Sequence, residues 1–323
     1  MIKHQTSIGF YNLENFFDTV DDPKTYDNPF TPKGFMHWIK KRYFNKAKKI
    51  GFVISQLGLA ETQKLPALIG LGEVENKTVL NDLIKSKYLK NHHLDYVHYE
   101  SADRRGMDVA LLYDKKQFKL IEAKAHPLTL YTNQGKPYQS RDILYCYGEL
   151  ANERVHVLIN HWPSRREGDI ASSHKRRLAS EKLREIVNYI QYEEDDAKII
   201  IMGDFNTDPN DESIKNEVVY KDFFNPSEQL FKQHLGSLNH QKKWHLFDQL
   251  IFSENFRSSN NQKIRFNEMK IFSPGYLKKW HGKAKGLPFR TYKGSTYQGG
   301  YSDHFPVYAT LTQTTDKILQ KIN

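Results

Sequence analysis

The chain has 323 residues, of which 38% are hydrophobic, 13% aromatic and 27% charged. This composition provides enough apolar material for a sizeable core and excludes a disordered, collagenous or repeat-array protein. The 48 basic and 38 acidic residues give a formal net charge of +10. That charge favours a polyanionic partner such as nucleic acid, phospholipid headgroups or phosphorylated sugars, although a basic protein of other function fits it as well.

Membrane-spanning and disulfide-bonded classes are also disfavoured. No stretch approaches the roughly 20 consecutive apolar residues that a membrane span needs, and the start of the chain lacks the apolar run of a secretory signal. If the chain is complete, we expect a cytoplasmic protein without stable membrane association. Because Cys146 is the single cysteine, an internal disulfide and a cysteine-built zinc site are excluded.

Short apolar or alternating runs predict a series of β-strands. In chain order they cover residues 8–12, 67–72, 107–113, 117–130, 143–150, 154–160, 198–202, 246–252 and 305–311. Apolar residues at helical spacing predict three helices between them. One follows Thr31-Pro32, a second is capped by Asn76, and a third follows Ser172-Ser173.

Strands and helices alternate along the chain, but several neighbouring strands have no helix between them. The runs 117–130 and 143–150 are joined by a turn at 132–137 and are expected to pair antiparallel. This arrangement predicts an α/β protein with mixed sheets. Because no linker rich in proline, glycine or serine divides the sequence, we expect a single domain over residues 1–323, with a core from about residue 8 to residue 311.

The most informative pattern is the position of polar residues relative to the predicted strands. Ionisable or amide side chains lie within or beside the ends of six strands; they are Asn12, Glu73, His161, Asp204 with Asn206, Asp248, and Asp303 with His304. Such groups beside a core are costly unless they are paired or bind a metal. One alone is usually a satisfied core polar group, but six segments with the same arrangement indicate a common site.

The chemistry of this set favours a hard metal ion. Carboxylate and amide oxygens suit magnesium or manganese, with calcium as a further candidate. Such an ion stabilises charge that develops on a phosphoryl group, and histidine adds acid–base chemistry near neutral pH. The pattern predicts metal-assisted phosphoester hydrolysis. A serine hydrolase fits poorly, because the sequence contains no Gly-x-Ser-x-Gly motif.

Six motifs occur in an order that resembles the endonuclease/exonuclease/phosphatase superfamily. They are Asn12-Leu13-Glu14-Asn15, Gly72-Glu73-Val74-Glu75-Asn76, Asn160-His161-Trp162-Pro163-Ser164-Arg165, Gly203-Asp204-Phe205-Asn206, Asp248, and Ser302-Asp303-His304. The superfamily includes deoxyribonuclease I, abasic-site exonucleases, sphingomyelinases and inositol polyphosphate phosphatases, and the chain looks like a bacterial member. The resemblance implies a four-layered α/β/β/α sandwich of two mixed sheets with the active site at one edge.

The resemblance also implies a set of metal ligands. Glu73 would be the principal ligand, with Asn12 nearby and Asp303 helping to bind or position the ion. Asp204 would activate water or bind a second ion, and Asn206, beside it, would hydrogen-bond phosphate oxygens or join the ligand set. Whether one or two ions act is left open.

The remaining implied catalytic residues are two histidines and an acid. His304 would contact the scissile phosphate, with Asp248 orienting its ring as a triad's acid does for its histidine. His161 would assist the leaving oxygen as a general acid. The chain departs from the family at Gly72, where a glutamine is more common, which removes no ligand but reduces support for the metal.

Candidate substrate-binding residues surround this set. Arg105 and Asp108 belong to the run 104–110, which recurs in bacterial members; Asp108 would pair with His161 or contact phosphate, or be an ordinary strand-start carboxylate. Two basic clusters contribute the others, which are Arg165 and Arg166 near His161, and Arg290 and Tyr292 in the aromatic and basic loop 276–297. Cations between rings fit a polynucleotide, although either cluster could be a solvated charged loop.

Together these features predict a monomeric, divalent-metal-dependent phosphodiesterase that cleaves nucleic acid, namely a DNA endonuclease of low sequence specificity. A phosphomonoesterase or phospholipase of the same superfamily, of the inositol phosphatase or sphingomyelinase type, is the alternative. No exposed apolar hairpin of the kind that a sphingomyelinase inserts into membranes is evident. A catalytically silent nucleic-acid-binding module is a second alternative, disfavoured because every expected catalytic position is filled.

Overall fold

The computed structural model describes residues 2–132, 134–165, 168–257 and 264–315. Its strands are β1 (Ile2–Phe16), β2 (Leu68–Val74), β3 (Leu94–His98), β4 (Asp108–Asp114), β5 (Phe118–His126), β6 (Thr129–Tyr131), β7 (Pro137–Gln139), β8 (Ile143–Leu150), β9 (Glu153–His161), β10 (Ile199–Asp204), β11 (Phe223–Phe224), β12 (Leu238–His240), β13 (Lys243–His245), β14 (Asp248–Ser253), β15 (Ile264–Ile271), β16 (Tyr292–Lys293), β17 (Thr296–Tyr297) and β18 (Val307–Thr315). Its α-helices are α1 (Lys40–Gln56), α2 (Leu59–Thr62), α3 (Lys77–Ile84), α4 (Asp169–Glu193) and α5 (Ser227–Lys232). Short 3₁₀ segments lie at Asn28–Phe30, Glu254–Phe256 and Gly275–Leu277, and a π-helical turn lies at Ser213–Val218.

Two six-stranded mixed sheets form the centre of the molecule. The first has the strand order β15-β18-β1-β2-β4-β3, and the second has the order β11-β14-β10-β9-β8-β5. Each contains one parallel pair, β1 with β2 and β9 with β10, while their other neighbours are antiparallel. The predicted antiparallel pairing of the fifth and eighth strands is confirmed.

The parallel pairs bring polar side chains to one edge, because parallel strands end on the same side of a sheet. Asn12 lies opposite Gly72 in the first pair, and Asp204 lies opposite His161 in the second. On its other side Asp204 pairs with Asp248, the first residue of β14. The register thus gathers residues from distant parts of the sequence.

Helices cover the outer faces of both sheets. Apolar side chains of α1 and α3 pack on the first sheet, and those of α4 pack on the second. A third cluster, which includes Phe10, Leu111, Met202 and Leu250, fills the space between the sheets. The expected four-layered α/β/β/α sandwich is confirmed.

Two predicted helices begin at different positions from those expected. The first begins at Lys40 rather than after Pro32, because residues 31–38 form a turn in which Gly34 and Trp38 both donate backbone hydrogen bonds to the Thr31 carbonyl. The fourth helix begins at Asp169, ahead of Ser172. The predicted cap of α3 is present, since Asn76 Oδ1 accepts from the backbone N–H of Val79 at 3.1 Å.

A glycine in β10 is needed for close packing of the parallel strands. A Cβ at Gly203 would collide with the carbonyl oxygen of Asn160 in β9. The glycine before Asp204 therefore keeps the strand in register beside His161. Among the helices that the structure describes, none combines the length and apolar character required to cross a bilayer.

Phe252 provides a test of the core between the sheets. Its ring is fully buried and contacts the rings of Phe224, Phe256 and Phe266. We expect Phe252→Ala to lower the free energy of unfolding by about 3–5 kcal/mol, because a large cavity is left. Phe35→Ala is the matched control: Phe35 is 72% exposed, so a change within about 0.5 kcal/mol is expected. Equal unfolding free energies for both variants, measured with urea, would contradict this packing.

Candidate active site

Asn12 joins the two sheets at the polar edge. Its side-chain amide donates to Asp204 Oδ2 at 3.0 Å, across from the first sheet to the second. The same nitrogen lies 3.5 Å from Glu73 Oε1, and Asn12 Oδ1 accepts from the backbone N–H of Glu14. The buried Asn12 amide therefore connects β1 with Glu73 of β2 and Asp204 of β10.

The backbone around Glu73 is held in an unusual conformation. Glu73 has a φ of 60°, and Glu14 and Asn15 have φ values of 51° and 53°, all in the left-handed region that costs non-glycine residues energy. The pairing of β1 with β2 shifts register at the same place. The backbone N–H of Asn15 donates to Glu73 Oε2 at 2.6 Å, which fixes the carboxylate at the sheet edge.

His304 and Asp248 form a buried pair. Asp248 Oδ2 lies 2.7 Å from His304 Nδ1; Asp248 is 0% exposed and His304 8% exposed. Burial acts to lower the pKa of His304, but the charge and hydrogen bond of Asp248, aided by Asp204 and Asp303, raise it well above its ordinary value. The imidazolium form is thus stabilised, and Nε2 is the nitrogen left for a substrate.

Asp204 lies at the centre of the cluster. Its Oδ2 is 3.5 Å from His161 Nε2, and its Oδ1 accepts from the backbone N–H of Asn206 at 2.9 Å. Burial raises the pKa of Asp204 to about 6, with His304 opposing and Asp248 adding to the rise. A carboxyl with a pKa near neutrality can gain and lose a proton under ordinary conditions.

Asn206 is positioned by the segment after His161. Its φ of 51° is left-handed, and its side-chain amide donates to the carbonyl oxygen of Trp162 at 2.9 Å. Arg165 Nε donates to the Asn206 carbonyl at 3.0 Å. The amide oxygen of Asn206 is then the polar atom available to a ligand.

The donor set fits a divalent cation. One ligand atom each from Asp204, Asp248 and His304 lies within 4.8 Å of the others, and Asp248 Oδ1 is buried with no hydrogen-bond partner among the described residues. Glu73 adds a carboxylate whose Oε1 makes a long contact of 3.5 Å with Asn12. Oxygen donors of this kind suit a hard ion. Because His304 and Asp248 are already paired with each other, the carboxylates of Glu73 and Asp204 are the better candidates for holding it.

A second charged cluster lies beside the first. Arg290 donates to Glu14 Oε1 at 3.3 Å and to Asp303 Oδ2 at 2.9 Å. The buried Lys46 Nζ donates to the Glu14 carbonyl at 2.7 Å and to Thr291 Oγ1 at 2.6 Å. Burial raises the pKa of Glu14 to about 7 and lowers that of Lys46 to about 8. The carboxylate of Asp303 is therefore paired with the guanidinium of Arg290.

A third group connects Arg105 to His161. The guanidinium of Arg105 donates to Asp103 Oδ2 at 2.7 Å, and Arg141 NH1 lies 3.9 Å from the same oxygen. Arg141 is buried and donates to the carbonyl oxygens of His161 and Trp162 at 2.9 and 2.8 Å. Burial lowers the pKa of Arg141 to about 10, which leaves it charged at neutral pH. Arg141 therefore fixes the backbone that carries His161.

Three sequence predictions have different outcomes in the structure. Asp108 accepts from the backbone N–H and the hydroxyl of Ser101 and lies 3.8 Å from His98, which matches the strand-start alternative. Tyr292 needs correction as a substrate contact: its ring is buried, and its hydroxyl donates to the Met36 carbonyl at 2.9 Å. Arg166 lies outside the described residues.

Sequence reasoning missed Glu14, Lys46, Asp103 and Arg141. Lys46 lies on the apolar stripe of α1, between Tyr43 and Ala47. A lysine at such a position indicates that its side chain is buried and paired. Glu14 lies in the first motif but resembles a loop residue. Asp103 and Arg141 carry no sequence signal, because their pairing depends on two loops that meet only in the folded chain.

The arrangement can move protons next to a bound anion. It combines a stabilised imidazolium, a carboxyl with a pKa near neutrality and amide groups, and cations from Arg105, Arg165 and Arg290 surround it. Those cations attract a phosphoryl group, while Asp204 and the two histidines can exchange protons with water and a leaving oxygen.

Comparison with known proteins agrees with this chemistry. A family model described as Endonuclease/Exonuclease/phosphatase family matches residues 7–313. No curated protein matches the chain. Similar solved structures include D. rerio TDP2 complexed with a single strand DNA product, with a TM-score of 0.56 and 15% identity over 95% of this chain and 98% of that one. The mannosyl-6-phosphatase of Bacteroides thetaiotaomicron has a TM-score of 0.59 and 15% identity over 95% of this chain and 99% of that one.

A third similar structure is a functionally unknown conserved protein from Enterococcus faecalis, with a TM-score of 0.55 and 16% identity over 96% of this chain and 100% of that one. At these identities the solved structures show a shared fold, and the family match shows the lineage. The chain belongs to the endonuclease/exonuclease/phosphatase family and is a phosphoester hydrolase with the deoxyribonuclease I-like fold.

Proposed function

We propose that the protein is a divalent-metal-dependent phosphodiesterase that cleaves the DNA backbone as an endonuclease of low sequence specificity. The observation that carries the proposal is the grouping of polar side chains at one edge of the two sheets: Asn12 bonds Asp204 and contacts Glu73, and Asp204 lies beside the His304–Asp248 pair. Arg165 and Arg290 bind Asn206 and Asp303 next to this cluster, so it is suited to a phosphate linked to further phosphates.

Glu73, Asn12 and Asp204 would hold the cation, with Asn206 and Asp303 close by. A divalent ion bound there would neutralise charge on the phosphoryl oxygens and help to orient a water molecule. Magnesium is the proposed ion, with manganese or calcium as substitutes, because every candidate donor is an oxygen.

Asp204, His304 and His161 have separate roles in proton transfer and hydrogen bonding to the substrate. Asp204 is the base that takes a proton from the attacking water, since its carboxylate lies at the centre of the cluster, close to His161 and to the His304–Asp248 pair. His304, protonated and aligned by Asp248, donates a hydrogen bond from Nε2 to a phosphoryl oxygen. His161, 3.5 Å from Asp204, protonates the leaving oxygen.

Low sequence specificity follows because the side chains beside the cluster are arginines, which contact phosphates. Arg105, Arg165 and Arg290 are partly exposed cations beside the cluster, and phosphate contacts position a nucleic acid without reading its bases. The similarity to TDP2 complexed with single strand DNA supports a nucleic-acid substrate.

A sugar phosphate is the second candidate substrate. A pocket of about 150 Å³ beside the cluster is lined by Lys279, Arg290, Lys293 and Asp303, among others, and this size suits a single phosphate group. The similarity to a mannosyl-6-phosphatase supports this candidate. It would make the protein a phosphomonoesterase with the same catalytic residues.

Substrate comparison tests the proposal directly. We expect plasmid nicking with magnesium that stops on addition of EDTA and returns with excess magnesium or manganese. Parallel reactions measure phosphate release from mannose 6-phosphate and inositol phosphates, and phosphocholine release from sphingomyelin. Turnover of one of these small esters without cleavage of DNA would replace the nuclease by a phosphatase or phospholipase.

Three substitutions test the assigned roles. We expect Glu73→Gln, Asp204→Asn and His304→Ala each to lower kcat by about 10²–10⁴-fold, as is typical when a group acting in the transition state is removed. Circular dichroism and thermal unfolding should show an intact fold. Asp195→Asn is the matched control, because Asp195 is exposed and distant in the fold at the end of α4. Full activity in any of the three variants would remove that residue from the mechanism.

Asp248 tests positioning separately from contact with substrate. Asp248→Asn keeps the shape of the side chain, but its amide can donate to His304 Nδ1 and so stabilise the wrong tautomer. We expect kcat to fall by about 10²-fold or more with little change in KM. Asp82→Asn provides a control, since Asp82 accepts a 2.7 Å hydrogen bond from Tyr43 far from the site. A large rise in KM with unchanged kcat would instead indicate that Asp248 binds substrate.

A further inference from the structure

A cleft of about 700 Å³ opens beside the segment that follows His161. Its lining combines two tyrosines with three cations: Tyr26, Tyr138, Arg104, Arg105 and Lys175. The Arg104 guanidinium lies 5.3 Å from the centre of the Tyr26 ring, and Lys175 Nζ lies 5.4 Å from the centre of the Tyr138 ring. Each ring therefore has a face that accepts a charged group from the cleft.

The cleft lies next to the backbone segment that carries His161. Pro163 and Ser164, which line it, come directly after His161 and Trp162. Arg105 is held by Asp103, and Asp103 lies 3.9 Å from Arg141, which binds the carbonyls of His161 and Trp162. Residues that line the cleft are therefore bound to the same backbone segment as His161, the proposed general acid.

The charge of the cleft suits phosphates. Among the described residues, Arg104 and Arg105 line the cleft together with the carboxylate Asp103, which is bound to Arg105. Lys175 is 6% exposed and lies against the Tyr138 ring. Tyr26, by contrast, is 59% exposed and can meet an incoming ring.

We propose that this cleft binds one or two unpaired nucleotides next to the scissile phosphate, with their phosphates on the cations and a base stacked on Tyr26. The inference rests on the proposed function and makes unpaired DNA the preferred substrate, so that nicking of a supercoiled plasmid requires local opening of the duplex. A cleft of about 700 Å³ has the size of a small-ligand site. A base can stack on a tyrosine only after it has left the helical stack, so intact duplex is a poor ligand.

Direct binding tests the cleft without turnover. In the Glu73→Gln background, fluorescence anisotropy measures the Kd of a labelled oligothymidylate of about ten nucleotides. We expect Tyr26→Ala to raise this Kd by about 5–150-fold, the range for the loss of one stacked base. Tyr26→Phe keeps the ring, and Tyr192→Ala removes a tyrosine that is 82% exposed on α4, so both should change Kd by about twofold or less.

The salt dependence of Kd tests the contribution of the cations independently. Arg104→Gln should reduce the slope of log Kd against log salt concentration by about 0.7, the value for one phosphate contact on a single strand. Lys90→Gln, an exposed lysine beyond α3, should leave the slope unchanged. Unlabelled single strand should compete far better than the same sequence as a blunt duplex.

The possible results separate this inference from the proposed function. Unchanged Kd in Tyr26→Ala, or equal competition by duplex, overturns the cleft as a nucleotide site even if the wild-type protein cuts DNA. If the wild-type protein cuts no DNA but Tyr26→Ala and Arg104→Gln weaken binding as expected, the proposed function fails and the cleft remains a nucleotide site. Tyr26→Ala that also slows hydrolysis of bis(4-nitrophenyl) phosphate, which is too small to reach the cleft from the cluster, would assign Tyr26 to the catalytic site instead.

Discussion

The hydrogen bond from Asn12 to Asp204 is the contact on which the candidate site depends, because it connects the two sheets at their polar edge. The apolar core between the sheets is non-directional and fixes their spacing rather than their lateral position. A side-chain hydrogen bond has a defined length and angle, so it limits sliding of one sheet over the other. Glu73 from the first sheet and His304 with Asp248 thereby keep a constant distance.

Concentrating charge at this edge has a cost that the rest of the fold offsets. Glu14, Asp204 and Asp248 are buried carboxylates, and each must be paired or hydrogen-bonded to remain stable. The Glu14 carboxylate accepts from Arg290 and from the backbone N–H of Thr291. Asp204 accepts from Asn12 and from the backbone N–H of Asn206, and Asp248 is paired with His304. Left-handed backbone at Glu73 and Asn206 adds strain of order 1–3 kcal/mol per residue, which is commonly found at functional sites.

Much of the architecture was predictable from the sequence because it follows from periodicity. Short apolar runs identified the central strands, and the polar residues at their ends predicted a common site. The structure brings them together through the contacts of Asn12 with Glu73 and Asp204, the His304–Asp248 pair, and the approach of Asp204 to that pair. Because the apolar pattern shows where each strand ends, the positions of residues at the strand ends could be predicted from the sequence. The start of α1 was not, since the turn at residues 31–38 depends on burial of Trp38 rather than on helix propensity.

Loop residues were harder to predict for the same reason. Tyr292 carries the sequence features of a substrate-facing ring, yet in the fold it packs against Trp38 and Phe30. Arg141 and Asp103 are ordinary loop residues until two segments meet beside His161. Their roles arise from tertiary contacts that no local pattern encodes.

The pairing of β1 with β18 places the start of the described chain beside its end, with Ile2 opposite Thr315. His304 lies three residues before β18, and Asn12 lies within β1. This one antiparallel pair of strands therefore positions groups that are far apart in the sequence. A proteolytic cut within either strand would separate those groups and inactivate the site without touching a catalytic side chain.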